Sequence, residues 1–184
     1  MAGLERLFQQ MFENFDPEVA LTYAALFVFG LLAMTLHECA HGYVAYRLGD
    51  TTAKDAGRLT LNPIKHIDPI GLACIIFFRI GWAKPVPVDS RNFKNRRSGI
   101  RLVSIAGPLA NVALCFVCLA GLKVSLNLNS EAGAIVFFNG LALNVGFAIF
   151  NLFPFPPLDG SKILFSFLPE KLEYYFYRYQ NVLS

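Results

Sequence analysis

His37-Glu38-Cys39-Ala40-His41 sets two imidazoles and a carboxylate at the end of an uncharged apolar run, residues 19–36. On a helix, residues four apart share a face. His37 and His41 can therefore bind one zinc ion while Glu38, adjacent, reaches a water on that ion. The same spacing occurs in ordinary soluble helices, but its position gives it weight here. Ionisable side chains at membrane depth are costly and mark function, and three cluster in this pentad. A catalytic zinc takes three protein ligands and keeps a fourth position open, so one more ligand is required. Two residues are candidates. Asp159 follows Asn151-Leu152-Phe153-Pro154-Phe155-Pro156-Pro157-Leu158, where prolines break a helix just before a carboxylate that must find a cation. His66 stands in Asn62-Pro63-Ile64-Lys65-His66-Ile67-Asp68-Pro69, where a solvated or lid histidine is the ordinary reading and a metal ligand the lesser one.

The elements that must position these groups are membrane helices. With 55% hydrophobic residues in 184 and a mean hydropathy of +0.47, the chain exceeds what the core of a soluble domain needs. Residues 19–36, 102–122 and 132–158 are uncharged, each at or above the roughly 18 residues that span hydrocarbon as a helix. The first is expected to be a permanent helix and not a cleaved signal peptide: Glu5, Glu13, Asp16 and Glu18 outweigh Arg6 upstream, and no small-residue cleavage site follows. It is expected to run from about Asp16 to Leu48 and to end at Gly49-Asp50. The second span is expected over 101–123 and the third over 131–153, antiparallel and joined by a short polar turn through Asn127 and Asn129.

Charge sets the orientation. Lys84, Arg91, Lys94, Arg96, Arg97 and Arg101 face only Asp89 in opposition, so their loop is cytoplasmic and the acidic N-terminal flank lies outside. His37 then sits roughly 27 Å along the first helix from Val19, near the cytoplasmic interface, and the third span brings Asp159 back to the same side. The net charge of +3 is too small to indicate nucleic acid as a partner. Residues 1–17 read as an amphipathic segment on the membrane surface, and 161–168 as a short apolar helix. Nine apolar residues, 70–78, cannot cross as a helix. With Trp82-Ala83-Lys84-Pro85-Val86-Pro87-Val88 they read as a re-entrant piece followed by an extended, β-like edge lining a cavity. The four cysteines form no framework, and no disulfide is expected.

The combination resembles the site-2 protease family of intramembrane zinc metalloproteases, in its compact bacterial branch without a PDZ domain. The resemblance covers nearly the whole chain: the pentad, Gly57-Arg58-Leu59-Thr60-Leu61-Asn62-Pro63, Gly81 to Val88, Ala106-Gly107-Pro108-Leu109-Ala110-Asn111, and the segment from Asn151 to Gly160. It implies an all-α polytopic membrane protein with a β-like insertion and a proline-broken helix at the active site, embedded as a single domain over residues 1–184. It makes His37, His41 and Asp159 the ligands of one Zn2+, Glu38 the general base, and Asn151 a holder of substrate or of a developing oxyanion. For Asn151 a helix cap or interhelical bond is an equal alternative. For Asn111, close packing at Gly107 and an interhelical bond are the main expectation.

The implied function is hydrolysis of peptide bonds within or near transmembrane helices of other membrane proteins. It would take place in a bacterial inner membrane with the active site towards the cytoplasm. The alternative is a membrane metal-binding or transport protein using the same His/His/Asp site. The branch continues into a further apolar span after the short helix near residue 165. Here residues 169–184 are polar and tyrosine-rich, and the expectation is either a truncated C-terminal helix or a shorter variant of the branch.

Overall fold

A computed structural model of the chain describes residues 16–71 and 83–169. The expected amphipathic segment at 1–17, most of the re-entrant piece and the C-terminal helix at 169–184 lie, apart from their edges, outside the described residues. Those residues form an all-α architecture with no strand: α1 (Pro17–Arg47), short α2 (Thr52–Asp55), α3 (Arg96–Asn127), α4 (Glu131–Asn151) and α5 (Asp159–Phe165). Helices α1, α3 and α4 are each long and apolar enough to cross a membrane.

Local chemistry explains where the helices start and stop. Asp16 caps α1 by accepting from the Glu18 and Val19 N–H groups, with Pro17 in the first turn, where its missing N–H costs nothing. The other end closes as a Schellman motif. Gly49, at φ +105°, donates to the Tyr46 carbonyl and Asp50 donates to that of Ala45. Helix α3 starts at Arg96, before the apolar run, because the Asn95 side chain accepts from the Ser98 N–H and fixes the first turn there. Helix α4 begins at a Ser130 cap and stops at Asn151, two residues short of expectation, since Pro154 disfavours helical backbone at Phe153.

The three long helices all pack on one another, α3 being the most buried, and α5 rests on α3. Two aromatic knobs lock the bundle. Phe29 of α1 sits over Gly140 of α4, and Phe137 of α4 over Gly121 of α3; their rings meet edge to face at 6.3 Å. The outer faces carry exposed aromatics such as Phe27, Phe116 and Phe138, an apolar surface suited to lipid rather than water. Among the described residues between α2 and α3, short 3-10 turns form at Pro63–Lys65 and Ser90–Asn92, and Ile67 and Ala83 make one isolated antiparallel bridge.

Candidate active site

His37 and His41 lie one turn apart on α1, buried, with ring centroids 4.6 Å apart and ring planes at 85°. Each ring is oriented through its Nδ1. His37 Nδ1–H donates to Asn111 Oδ1 at 2.7 Å, and His41 Nδ1–H donates to the Val103 carbonyl at 2.6 Å, both acceptors being on α3. Those bonds fix the tautomer and leave both Nε2 lone pairs pointing at the same point.

Asp159 arrives there from the other end of the chain. Its Oδ2 lies 3.1 Å from His37 Nε2 and 3.0 Å from His41 Nε2, and it is the first residue of α5. The close approach of α5 to the end of α4 depends on Gly160, where a Cβ would collide with the Leu152 carbonyl oxygen. Two imidazole nitrogens and one carboxylate oxygen thus converge, all within 4.8 Å of one another and buried. This donor set fits zinc: ligands at about 2.0–2.1 Å around a tetrahedral ion stand roughly 3.3 Å apart, close to the Nε2–Oδ2 separations seen. The other oxygen, Oδ1, accepts from Lys162 Nζ at 2.9 Å.

Glu38 projects from the same turn into a cavity of about 710 Å³ that His37, His41, Val86, Asn151 and Asp159 also line. Its Oε2 accepts from the Val86 N–H at 2.8 Å. Asn151 is on the wall, its Nδ2 donating to the Phe147 carbonyl at 3.0 Å, which leaves its second amide hydrogen for the cavity. Asn111 makes the expected interhelical bonds and more: besides His37 it binds the Ala33 carbonyl at 3.4 Å and Asn144 Oδ1 at 3.1 Å, tying α1, α3 and α4 together. Asn144 in turn donates to the Gly140 carbonyl.

His66 is no solvated lid and stands outside the group that His37, His41 and Asp159 form. It is 2% exposed, its Nε2 bonds the Thr60 carbonyl at 2.8 Å, and its own carbonyl accepts from the Lys84 N–H. A histidine that pins two loops together was hidden by the loop-like composition around it. Sequence reasoning also passed over Lys162, Asn144 and the Val86 N–H. Asn144 is one of three asparagines in the apolar run 132–158, with Asn139 and Asn151, and an amide at membrane depth was the visible signal. Cys39, Cys115 and Cys118 are free thiols.

No protein-family model matches the chain, and no solved structure matches it. Curated relatives do. The chain is 44% identical over 146 residues to "Putative zinc metalloprotease YwhC" of Bacillus subtilis, covering 76% of this chain and 67% of that protein. It is 35% identical over 154 residues to "Putative zinc metalloprotease Rip2" of Mycolicibacterium smegmatis, covering 76% of this chain and 57% of the relative. For the protein of the same name in Mycobacterium tuberculosis the identity is 32% over 153 residues, covering 78% and 59%. The chain therefore spans between 57% and 67% of the length of these relatives. With that likeness to proteins named as zinc metalloproteases, and a His-Glu-x-x-His helix meeting a returning aspartate, the chain belongs to the site-2 protease family, whose cofactor is Zn2+.

Proposed function

We propose that this chain is an intramembrane zinc endopeptidase that hydrolyses peptide bonds within or near transmembrane helices of membrane-protein substrates. Residues 1–184 act as a single membrane-embedded catalytic domain, placed in a bacterial inner membrane with the site towards the cytoplasm. The observation that carries the reading is spatial. A three-ligand donor set and a separate carboxylate, Glu38, open onto one cavity within a bundle of three apolar helices. The relatives' names, which say zinc metalloprotease, support the same chemistry here.

His37 and His41 would hold zinc through Nε2 and Asp159 through Oδ2. Bound there, the ion supplies Lewis acidity for the scissile carbonyl and lowers the pKa of a water towards ~7. Glu38 is the general base: it takes a proton from the attacking water and later delivers it to the leaving amine. Asn151 directs its free amide hydrogen at the substrate oxygen as negative charge develops, a contribution of about 2.7–4 kcal/mol if it acts as an oxyanion donor. Lys162 holds Asp159 Oδ1, so that one carboxylate oxygen faces the donor set.

A substrate helix keeps its carbonyls hydrogen-bonded and must be locally unwound before attack. The backbone at 85–88 offers carbonyls beside Glu38 that can accept from the N–H groups of an unwound strand laid along it. The test is to map by mass spectrometry where a tagged model substrate is cut in liposomes. Cuts should fall within or at the end of its transmembrane helix and disappear when prolines block strand pairing. Cuts confined to a distant soluble loop, or indifferent to those prolines, would refute the proposal.

A further inference from the structure

Pro85-Val86-Pro87 carries a single backbone N–H in three residues, since proline has none. That one N–H belongs to Val86 and donates to Glu38 Oε2 at 2.8 Å. The backbone around it is fastened on both sides. Lys84 donates to the His66 carbonyl at 2.9 Å, the Lys84 carbonyl accepts from Arg58 Nη2 at 2.7 Å, and Asp89 donates to Asp50 Oδ2 at 2.8 Å. The side chain of Val86 is 8% exposed and packs against Gly42, four residues beyond Glu38 on the same face of α1. A Cβ at Gly42 would lie 3.1 Å from Val86 Cγ1, so the bare helix surface there lets the extended segment come close enough to reach Glu38.

A glutamate carboxylate projecting into a cavity has several rotamers open to it, and a base that swings is poorly aligned for proton transfer. A fixed N–H on one oxygen removes that freedom through a charge-assisted bond. Among the described residues Oε1 has no hydrogen-bond partner, so it is the oxygen left for the proton of the attacking water. We infer that the Val86 N–H is a positioning donor for the general base. It holds Oε2 and presents Oε1, and it ties the base to the same edge on which a substrate strand would pair. This rests on the reading of Glu38 as base.

The experiment uses the full chain, zinc-loaded, in proteoliposomes. Val86 is replaced by its α-hydroxy acid, which turns the Pro85–Val86 amide into an ester and deletes the N–H while keeping the side chain and the chain path. The ester variant should lose kcat by about ten-fold or more, with KM and zinc content unchanged. In parallel, the Val86 amide proton resonance should move upfield in Glu38→Ala with zinc retained. A wild-type kcat in the ester variant, an unmoved resonance, or a kcat loss accompanied by zinc loss would overturn the inference. Glu38→Gln in the same vesicles separates the two layers. If it cleaves like wild type, the reading of Glu38 as base falls and the role of Val86 with it. If it is inactive while the ester is fully active, only the role of Val86 falls.

Discussion

Gly107 and His41 are in direct contact across α3 and α1: a Cβ built on Gly107 would stand 2.5 Å from His41 Nε2, and equally 2.5 Å from His37 Nε2. The glycine is therefore the space that the Nε2 edges of both rings require. Neither ring can retreat, because each is held at Nδ1, by Asn111 and by the Val103 carbonyl.

Gly107→Ala should therefore empty the site without unfolding the bundle. Overpacking of this kind costs about 1–3 kcal/mol, and here the displaced atoms are the nitrogens proposed to hold zinc. The expected outcome is a near-complete loss of bound zinc, read by atomic absorption on purified protein, with helical content preserved. Full zinc occupancy would show that the rings have room that the geometry denies them.

Asn111 orients His37, and its removal leaves a buried imidazole N–H without an acceptor. Asn111→Leu should weaken zinc binding by about 10–100-fold, the usual effect of losing a partner that orients a ligand. Competition against a calibrated chelator measures it. Asn111→Asp keeps an acceptor and should lie closer to wild type; equal affinities in all three would contradict the assignment.

Asp50 clips the loop after α1 to the segment before α3. Fully buried, it accepts from the Thr52 N–H and hydroxyl, from Asn92 Nδ2 at 2.8 Å and from the Asp89 N–H at 2.8 Å. Burial alone pushes its carboxyl upwards, but the hydrogen bonds from Thr52, Asn92 and Asp89 outweigh it and hold the group below its ordinary value. A carboxyl lowered in the folded state contributes stability that is complete above the ordinary value of about 3.9 and is lost as pH falls through the folded value. Asp50→Asn should thus lower stability at neutral pH by about 1–3 kcal/mol. Thermal unfolding in detergent should show the gap between variant and wild type closing as pH drops below 4. A gap that is constant with pH would remove the charge from the account.

Much of this was legible in the chain. Uncharged runs marked the three spans, because the bilayer demands them, and four-residue spacing put His37 and His41 on one face. The helix ends were less legible where composition and capping disagree. Arg96, Arg97 and Arg101 look like a loop by charge, yet Asn95 starts α3 ahead of them, with long basic side chains able to reach water from a helix end. Asp159 was legible as a costly carboxylate, but its partners were fixed only through the family resemblance, since they lie on the opposite side of the sequence. The Val86 N–H and the gap at Gly107 have no signature in composition or period. Both are properties of backbone brought close by tertiary packing.

The central claim is that Glu38 acts on water beside a zinc held by His37, His41 and Asp159. The most direct test compares wild type with Glu38→Gln in liposomes, with zinc content and cleavage of a tagged transmembrane substrate measured on the same samples. Zinc near one per chain in both, with cleavage in wild type alone, is the result this account predicts. Cleavage that survives in Glu38→Gln, or zinc lost together with activity, would contradict it; the second outcome would make Glu38 a ligand, as a transport site would use it.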